Sequence, residues 1–131
     1  MSEHTTVEFY EGGVVVITLC PEPTPDDLGR YFLAPLNAKL DSRQHFSVIV
    51  DSSRVVAVDM VLTKTIMAWL RSNRERFKLY LRCSSIIVSG KLIRNILDLV
   101  FKVQTPVAPM RVVSSMEDAW DHVALIEKGQ D

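Results

Sequence analysis

Residues 46–59 read FSVIVDSSRVVAVD and contain the transition that decides the fold. Phe46–Asp51 is rich in β-branched and aromatic residues, predicts a strand, and ends in a polar turn. Val55–Val58 is a short apolar bridge, and Asp59 is a residue type that caps helices. The helix that begins there is predicted to run to about Arg76. A strand followed by a capped helix is the unit from which α/β domains are built.

The N-terminal part of the chain predicts a hairpin. Val7–Tyr10 is β-rich and leads into Gly12 and Gly13, which can supply the positive φ angles of a tight turn. The run Val14–Cys20 follows without polar alternation, as expected for a strand that is buried on both faces. The opening pair of strands is therefore antiparallel.

A helix is predicted next, because Thr24 can cap it and Pro25 suits its first position. Apolar residues recur there at every fourth position, and Pro35 lies inside the helix. The proline ring clashes with the carbonyl four residues earlier, so a kink is expected. The apolar stripe consists of Leu28, Phe32, Leu36 and Leu40.

The C-terminal half continues the alternation. Phe77–Cys83 alternates apolar and polar residues and predicts a strand, and Ile86–Val88 fits either its extension or the next helix. A helix from Leu92 to about Val103, a strand at Met110–Val113 and a helix from Ser115 to about Lys128 complete the pattern. The predicted fold is α/β: a mostly parallel mixed sheet of about five strands, with an N-terminal β-hairpin and four helices.

Composition narrows the class of protein. The 131 residues are 47% hydrophobic and 24% charged, which predicts one ordered domain over residues 1–131 with its core at about 7–128. A net charge of −1 argues against nucleic-acid binding. Cys20 and Cys83 form no CxxC pair and fit a reduced interior. The absence of a signal-peptide pattern and of a long apolar run predicts a cytoplasmic protein without a membrane span.

The polar motifs favour structural roles. Asp51 ends a strand and is expected to bond its own turn. Ser89-Gly90-Lys91 lacks the rest of a phosphate-binding loop. Asp118 and His122 are spaced as a surface pair on a helix. No catalytic Ser-His-Asp or Cys-His grouping is recognisable, and no metal or cofactor is predicted.

The helix from Leu92 has an apolar face wider than one contact with a sheet requires. Burial within the monomer, a dimer contact and an apolar ligand cavity are the three interpretations. We expect a ligand or dimer surface to include residues of this helix and of the helix from Pro25, namely Tyr31, Phe32, Leu92, Ile96, Leu99 and Val103.

Two stretches resemble the STAS family, the domain of bacterial anti-sigma-factor antagonists that includes SpoIIAA. Residues 48–59 match its strand ending in Asp, a polar turn, an apolar bridge and a second Asp eight residues on. Residues 112–120 look like its closing strand and the following Ser-x-Glu-Glu-Ala. The element order over Val7–Lys128 agrees as well. The resemblance implies a SpoIIAA-like fold and a module that binds other proteins.

The chain departs from the family where phosphate is accepted. In phospho-regulated STAS domains, the second Asp is followed by Ser-Ser-Gly or Ser-Thr-Gly, whereas here Asp59 is followed by Met60, Val61 and Leu62. The resemblance therefore implies a surface at Asp59, Met60, Val61 and Lys64 that binds a protein partner without the usual serine switch. Burial of Met60 and Val61 under the apolar bridge is the alternative.

We therefore expect a non-enzymatic interaction or scaffold module. The sequence does not specify the protein partner, which could be a second copy of the same chain in a homodimer. The alternative function is a small apolar-ligand-binding protein of the same fold.

Overall fold

A computed structural model describes residues 4–103 and 105–129, which contain one five-stranded sheet. Its strands lie in chain order: β1 (Thr6–Tyr10), β2 (Val14–Thr18), β3 (Phe46–Asp51), β4 (Leu81–Ile87) and β5 (Met110–Val113). β1 is antiparallel to β2, and all other neighbours are parallel. The predicted mixed sheet with an antiparallel edge is confirmed.

The hairpin turn between β1 and β2 depends on glycine. Gly12 and Gly13 have φ angles of +84° and +76°. A Cβ at Gly13 would lie 2.9 Å from the carbonyl oxygen of His45. Only glycine fits this combination of positive φ and close backbone approach.

The helices are α1 (Pro25–Leu28), α2 (Ala34–Asp41), α3 (Met60–Ser72), α4 (Arg74–Tyr80), α5 (Lys91–Val103) and α6 (Met116–Glu127). A π-helical turn at Gly29–Leu33 joins α1 to α2 directly before Pro35. The wider turn provides the irregularity that the proline ring requires, so the predicted disturbance lies in the turn before it.

The predicted helix caps at Thr24 and Asp59 are confirmed, and Ser115 caps α6. Each side chain accepts a hydrogen bond from a backbone N–H of the first helical turn. Thr24 also forms a reciprocal pair with Asp27, whose Oδ2 accepts from the Thr24 N–H at 2.9 Å. These bonds satisfy donors that a helix start otherwise leaves unpaired.

Two predictions between β3 and β4 were wrong. The helix from Asp59 ends at Ser72 instead of Arg76, and Asn73 separates it from α4. Residues 77–80, predicted as strand, belong to α4, and the strand begins at Leu81. The reason is pairing: β3 begins at Phe46, which already faces Leu81, so β3 has no residue left to pair with 77–80.

Both faces of the sheet are covered. Helix α6 packs on one face, here called the α6 face, which includes Ile49, Cys83 and Val123 in one apolar cluster. Helices α2 to α5 cover the other, the cavity face, where Phe46, Val48 and Phe77 belong to a second cluster. Crossovers between parallel strands in chain order are right-handed, which brings their helices to the same side.

Candidate functional site

A cavity of about 250 Å³ lies between the cavity face of the sheet and the helices above it. Val48, Val50 and Ile86 from the strands form its floor, and the other walls come from α1 to α5 and the segment after α5. Almost all of the lining side chains are aliphatic or aromatic. An apolar cavity of this kind is the feature that most often marks a ligand site.

The size of side chains on the sheet helps to explain the open space. Ser84 points to the cavity face of β4, between positions occupied in neighbouring strands by Val48 and Met110. A serine occupies much less volume than the leucine or isoleucine that commonly fills a core position. Helices α3 and α5 both line the space that remains, through residues such as Ile66 and Ile96.

Few polar atoms reach this cavity. Ser52 Oγ donates to the Ile87 carbonyl at 2.7 Å. Arg74 Nη1 donates to the Thr105 carbonyl at 2.9 Å and so links the start of α4 to the segment after α5. Thr63, on α3, has a buried hydroxyl oxygen that finds no hydrogen-bond partner among the described residues.

The predicted surface on the Leu92 helix is divided by the structure. Phe32 and Ile96 line the cavity, whereas Leu92 and Leu99 are 39% and 45% exposed on the outside of α5. Tyr31 is half-buried and does not line the cavity. The side chain of Val103 lies outside the described part of the chain. The wide apolar face thus serves both the interior and an exposed stripe.

The predicted partner surface lies at the start of α3. Asp59 Oδ1 accepts a hydrogen bond from the Val61 N–H at 2.7 Å. Met60 and Val61 are 50% and 61% exposed, and Lys64 one turn later is exposed too. The alternative, that Met60 and Val61 are buried under the apolar bridge, is therefore wrong; it is Leu62 that points inward.

The polar turns next to this surface are structural, as predicted. Asp51 Oδ1 accepts from the Ser53 N–H at 3.0 Å and from Ser53 Oγ at 2.6 Å, which closes the turn after β3. Ser89 Oγ donates to the Ser53 carbonyl at 2.6 Å. Gly90 has a φ of +88° directly before α5. The Ser89-Gly90-Lys91 stretch thereby connects two loops.

His122 does not form the predicted surface pair with Asp118. It is only 3% exposed and points to the α6 face, where Nδ1 lies 2.8 Å from Ser85 Oγ. Burial lowers the pKa of His122, and the charge of Arg111 lowers it further. Sequence reasoning missed this pair, although His122 shares an i, i+3, i+4 pattern with the buried residues Ala119 and Val123.

The cysteines are buried and unbridged, in agreement with the sequence prediction. Cys83 Sγ lies 3.4 Å from Ser47 Oγ on the α6 face, and burial raises the pKa of the Cys83 thiol. Among residues 4–103 and 105–129, no group of three or more His, Cys, Asp or Glu side chains could hold a metal ion. In the same residues, no helix is long and apolar enough to cross a membrane.

The strand order, the Asp-capped α3 after β3 and the closing β5–α6 unit define an α/β protein with a SpoIIAA-like fold. A solved structure with this fold is similar over nearly the whole chain: an uncharacterized protein of the DUF3478 family from Shewanella loihica PV-4. The TM-score is 0.62 at 12% identity, and the match covers 93% of this chain and 98% of that one. No protein-family model and no curated protein matched the sequence. This similarity shows the fold that the STAS resemblance predicted, whereas the function is inferred from the site.

Proposed function

We propose that the protein is a non-enzymatic binding module that takes up a small apolar molecule in the cavity between the sheet and helices α3 and α5. The observation that carries this proposal is the cavity of about 250 Å³ with its almost wholly apolar lining. An engineered apolar cavity of about 150 Å³ already binds benzene. The cavity under α3 and α5 is therefore large enough for an apolar molecule bigger than benzene.

The chemistry of the lining supports binding without catalysis. Arg74 is the only ionisable side chain among the described lining residues, and its guanidinium donates to Thr105. General acid–base catalysis requires a group that exchanges protons near neutral pH, which an arginine does not do. The buried pair of Ser85 and His122 lies on the other face of the sheet.

The first test fills the cavity from its floor. Ser84→Leu places a larger side chain at the centre of the cavity face. We expect the wild-type protein to bind the fluorescent apolar probe N-phenyl-1-naphthylamine in a saturable manner, and the variant to bind it at least about tenfold more weakly. Because cavity filling adds apolar contacts, the thermal midpoint of the variant should stay the same or rise.

A matched control makes the same chemical change elsewhere. Ser114→Leu, at an exposed position after β5 that does not line the cavity, should bind the probe as the wild type does. Saturable binding that is equal in both variants would contradict the proposed site. Native mass spectrometry of the freshly purified protein would in addition reveal a bound molecule by its mass.

A second function, binding of a protein partner, is favoured by the exposed apolar side chains of Met60 and Val61. They begin α3 beside Asp59, at the position where the STAS resemblance implies a partner surface, and Lys64 extends it by one turn. Leu92 and Leu99, one above the other on α5, offer a further apolar stripe for a second copy of the chain. We propose in addition that the protein is located in the cytoplasm, a reducing compartment in which its two buried cysteines stay free.

A further inference from the structure

The hydroxyl group of Thr63 is buried at a place where the described part of the chain gives it no partner. The residue is 3% exposed and lines the cavity from α3, and its Oγ1 makes no hydrogen bond to any of residues 4–103 and 105–129. Threonine in a helix usually satisfies its hydroxyl by donating to the carbonyl four residues earlier. Thr65 in the same helix does so, with Oγ1 at 2.8 Å from the Val61 carbonyl. Thr63 therefore differs from its neighbour in a way that helix geometry does not require.

A buried hydroxyl without a partner is unfavourable, and such groups are rare in folded proteins. We propose that Thr63 Oγ1 is the contact for a polar group of the ligand. The ligand is then an apolar molecule with one uncharged hydroxyl or carbonyl group, placed next to Thr63. This inference rests on the proposed function, because it names the class of molecule that the cavity accepts.

The electrostatics of the cavity favour an uncharged group. Arg74 is the only charged side chain among the described lining residues, and it lies beyond the end of α3. With a rise of about 1.5 Å per residue, Thr63 is separated from the last residue of α3, Ser72, by about 14 Å. A carboxylate next to Thr63 would lose its hydration without gaining a cation.

The test compares three molecules of similar shape. 2-Naphthol carries a hydroxyl, 2-methylnaphthalene carries a methyl group in its place, and 2-naphthoate carries a charge. Each is titrated against the wild-type protein loaded with N-phenyl-1-naphthylamine, and displacement of the probe gives the affinity. We expect the wild type to bind 2-naphthol most tightly and 2-naphthoate most weakly.

Thr63→Val removes the hydroxyl and retains the shape of the side chain. We expect it to bind 2-naphthol about tenfold more weakly, which corresponds to about 1.4 kcal/mol, and to bind 2-methylnaphthalene as before. Thr65→Val is the matched control, because its hydroxyl is already bonded within the helix, and both affinities should be unchanged. The thermal midpoint of ligand-free Thr63→Val should be equal or higher, since an unsatisfied buried group is removed.

The possible failures can be told apart. If the probes bind but Thr63→Val keeps the wild-type preference for 2-naphthol, the role of Thr63 is refuted and the apolar cavity still stands as the binding site. Preferential binding of 2-naphthoate would refute the requirement for an uncharged group. If the wild type binds none of the probes, both the proposed function and this inference are refuted.

Discussion

The buried pair of His122 and Ser85 makes the stability of the fold depend on pH. His122 is almost fully buried, and Nδ1 lies 2.8 Å from Ser85 Oγ. Burial, followed by the charge of Arg111, places the pKa of His122 below the ordinary value of 6.5. The folded protein therefore keeps the imidazole neutral at a pH where the unfolded chain would already bind a proton.

The sign and size of the effect follow from this difference in pKa. Below about pH 6.5 the unfolded state binds more protons at His122 than the folded state does. The free energy of unfolding therefore has its full value above about pH 6.5 and decreases as the pH falls below it. The decrease is at most about 1.4 kcal/mol per pH unit and levels off once the pH is below the pKa of folded His122. The pKa of Asp27 is also lowered, but it titrates in a more acidic range and does not interfere.

The perturbation is the double substitution Ser85→Ala/His122→Leu, which replaces both polar partners by apolar side chains. Such a replacement is close to neutral for stability at neutral pH. The single substitution His122→Leu leaves the Ser85 hydroxyl buried without its partner, and it should be less stable than the double variant by about 1–3 kcal/mol.

The assay is urea unfolding of the wild type and the double variant between about pH 7.5 and about pH 5.5, on both sides of the ordinary histidine pKa. We expect the wild type to lose stability over this range and the double variant to lose clearly less. Equal pH dependence in the two proteins would refute the argument that folded His122 excludes a proton.

Two predictions concern the start of α3. Met60→Asp/Val61→Asp should leave the free energy of unfolding within about 0.5 kcal/mol of the wild type, because both side chains are largely exposed. The same variant should lose binding to a protein partner or to a second copy of the chain. Thermal melting measures the first effect, and size-exclusion chromatography measures the second. A large drop in the melting temperature would show instead that the two residues are needed for the core. Asp59→Ala removes the cap that accepts from the Val61 N–H and should cost about 1 kcal/mol in urea unfolding, whereas Asp59→Asn, which keeps an accepting oxygen, should cost much less. Equal losses in these two variants would argue against the capping role.

Local sequence patterns determined most of the elements of this protein. The caps at Thr24, Asp59 and Ser115 depend on a side chain and a backbone N–H within three residues of each other, so the residues themselves specify them. The glycine turn and the apolar run of β2 are local in the same sense. The order of these elements, read from the same patterns, agrees with the STAS resemblance and with the similar solved structure.

The elements that sequence reasoning misplaced depend on distant partners. The alternation of residues 77–83 is compatible with a strand, but residues 77–80 belong to α4. There Phe77 packs against Phe46, 31 residues earlier on β3, with their ring centroids 6.5 Å apart. His122 is equally compatible with a surface position until Ser85, 37 residues earlier, provides its partner.

The candidate ligand site was only partly accessible from the sequence. The wide apolar face of α5 indicated that more than one surface contacts it, and Phe32 and Ile96 do line the cavity. No pattern in the sequence predicts the distance of α3 and α5 from the sheet, or that Ser84 and Thr63 line the same cavity. Helical periodicity is a property of one segment, whereas a cavity exists only between elements. The tertiary structure alone therefore decides the position and the volume of the cavity, and which hydroxyl groups line it.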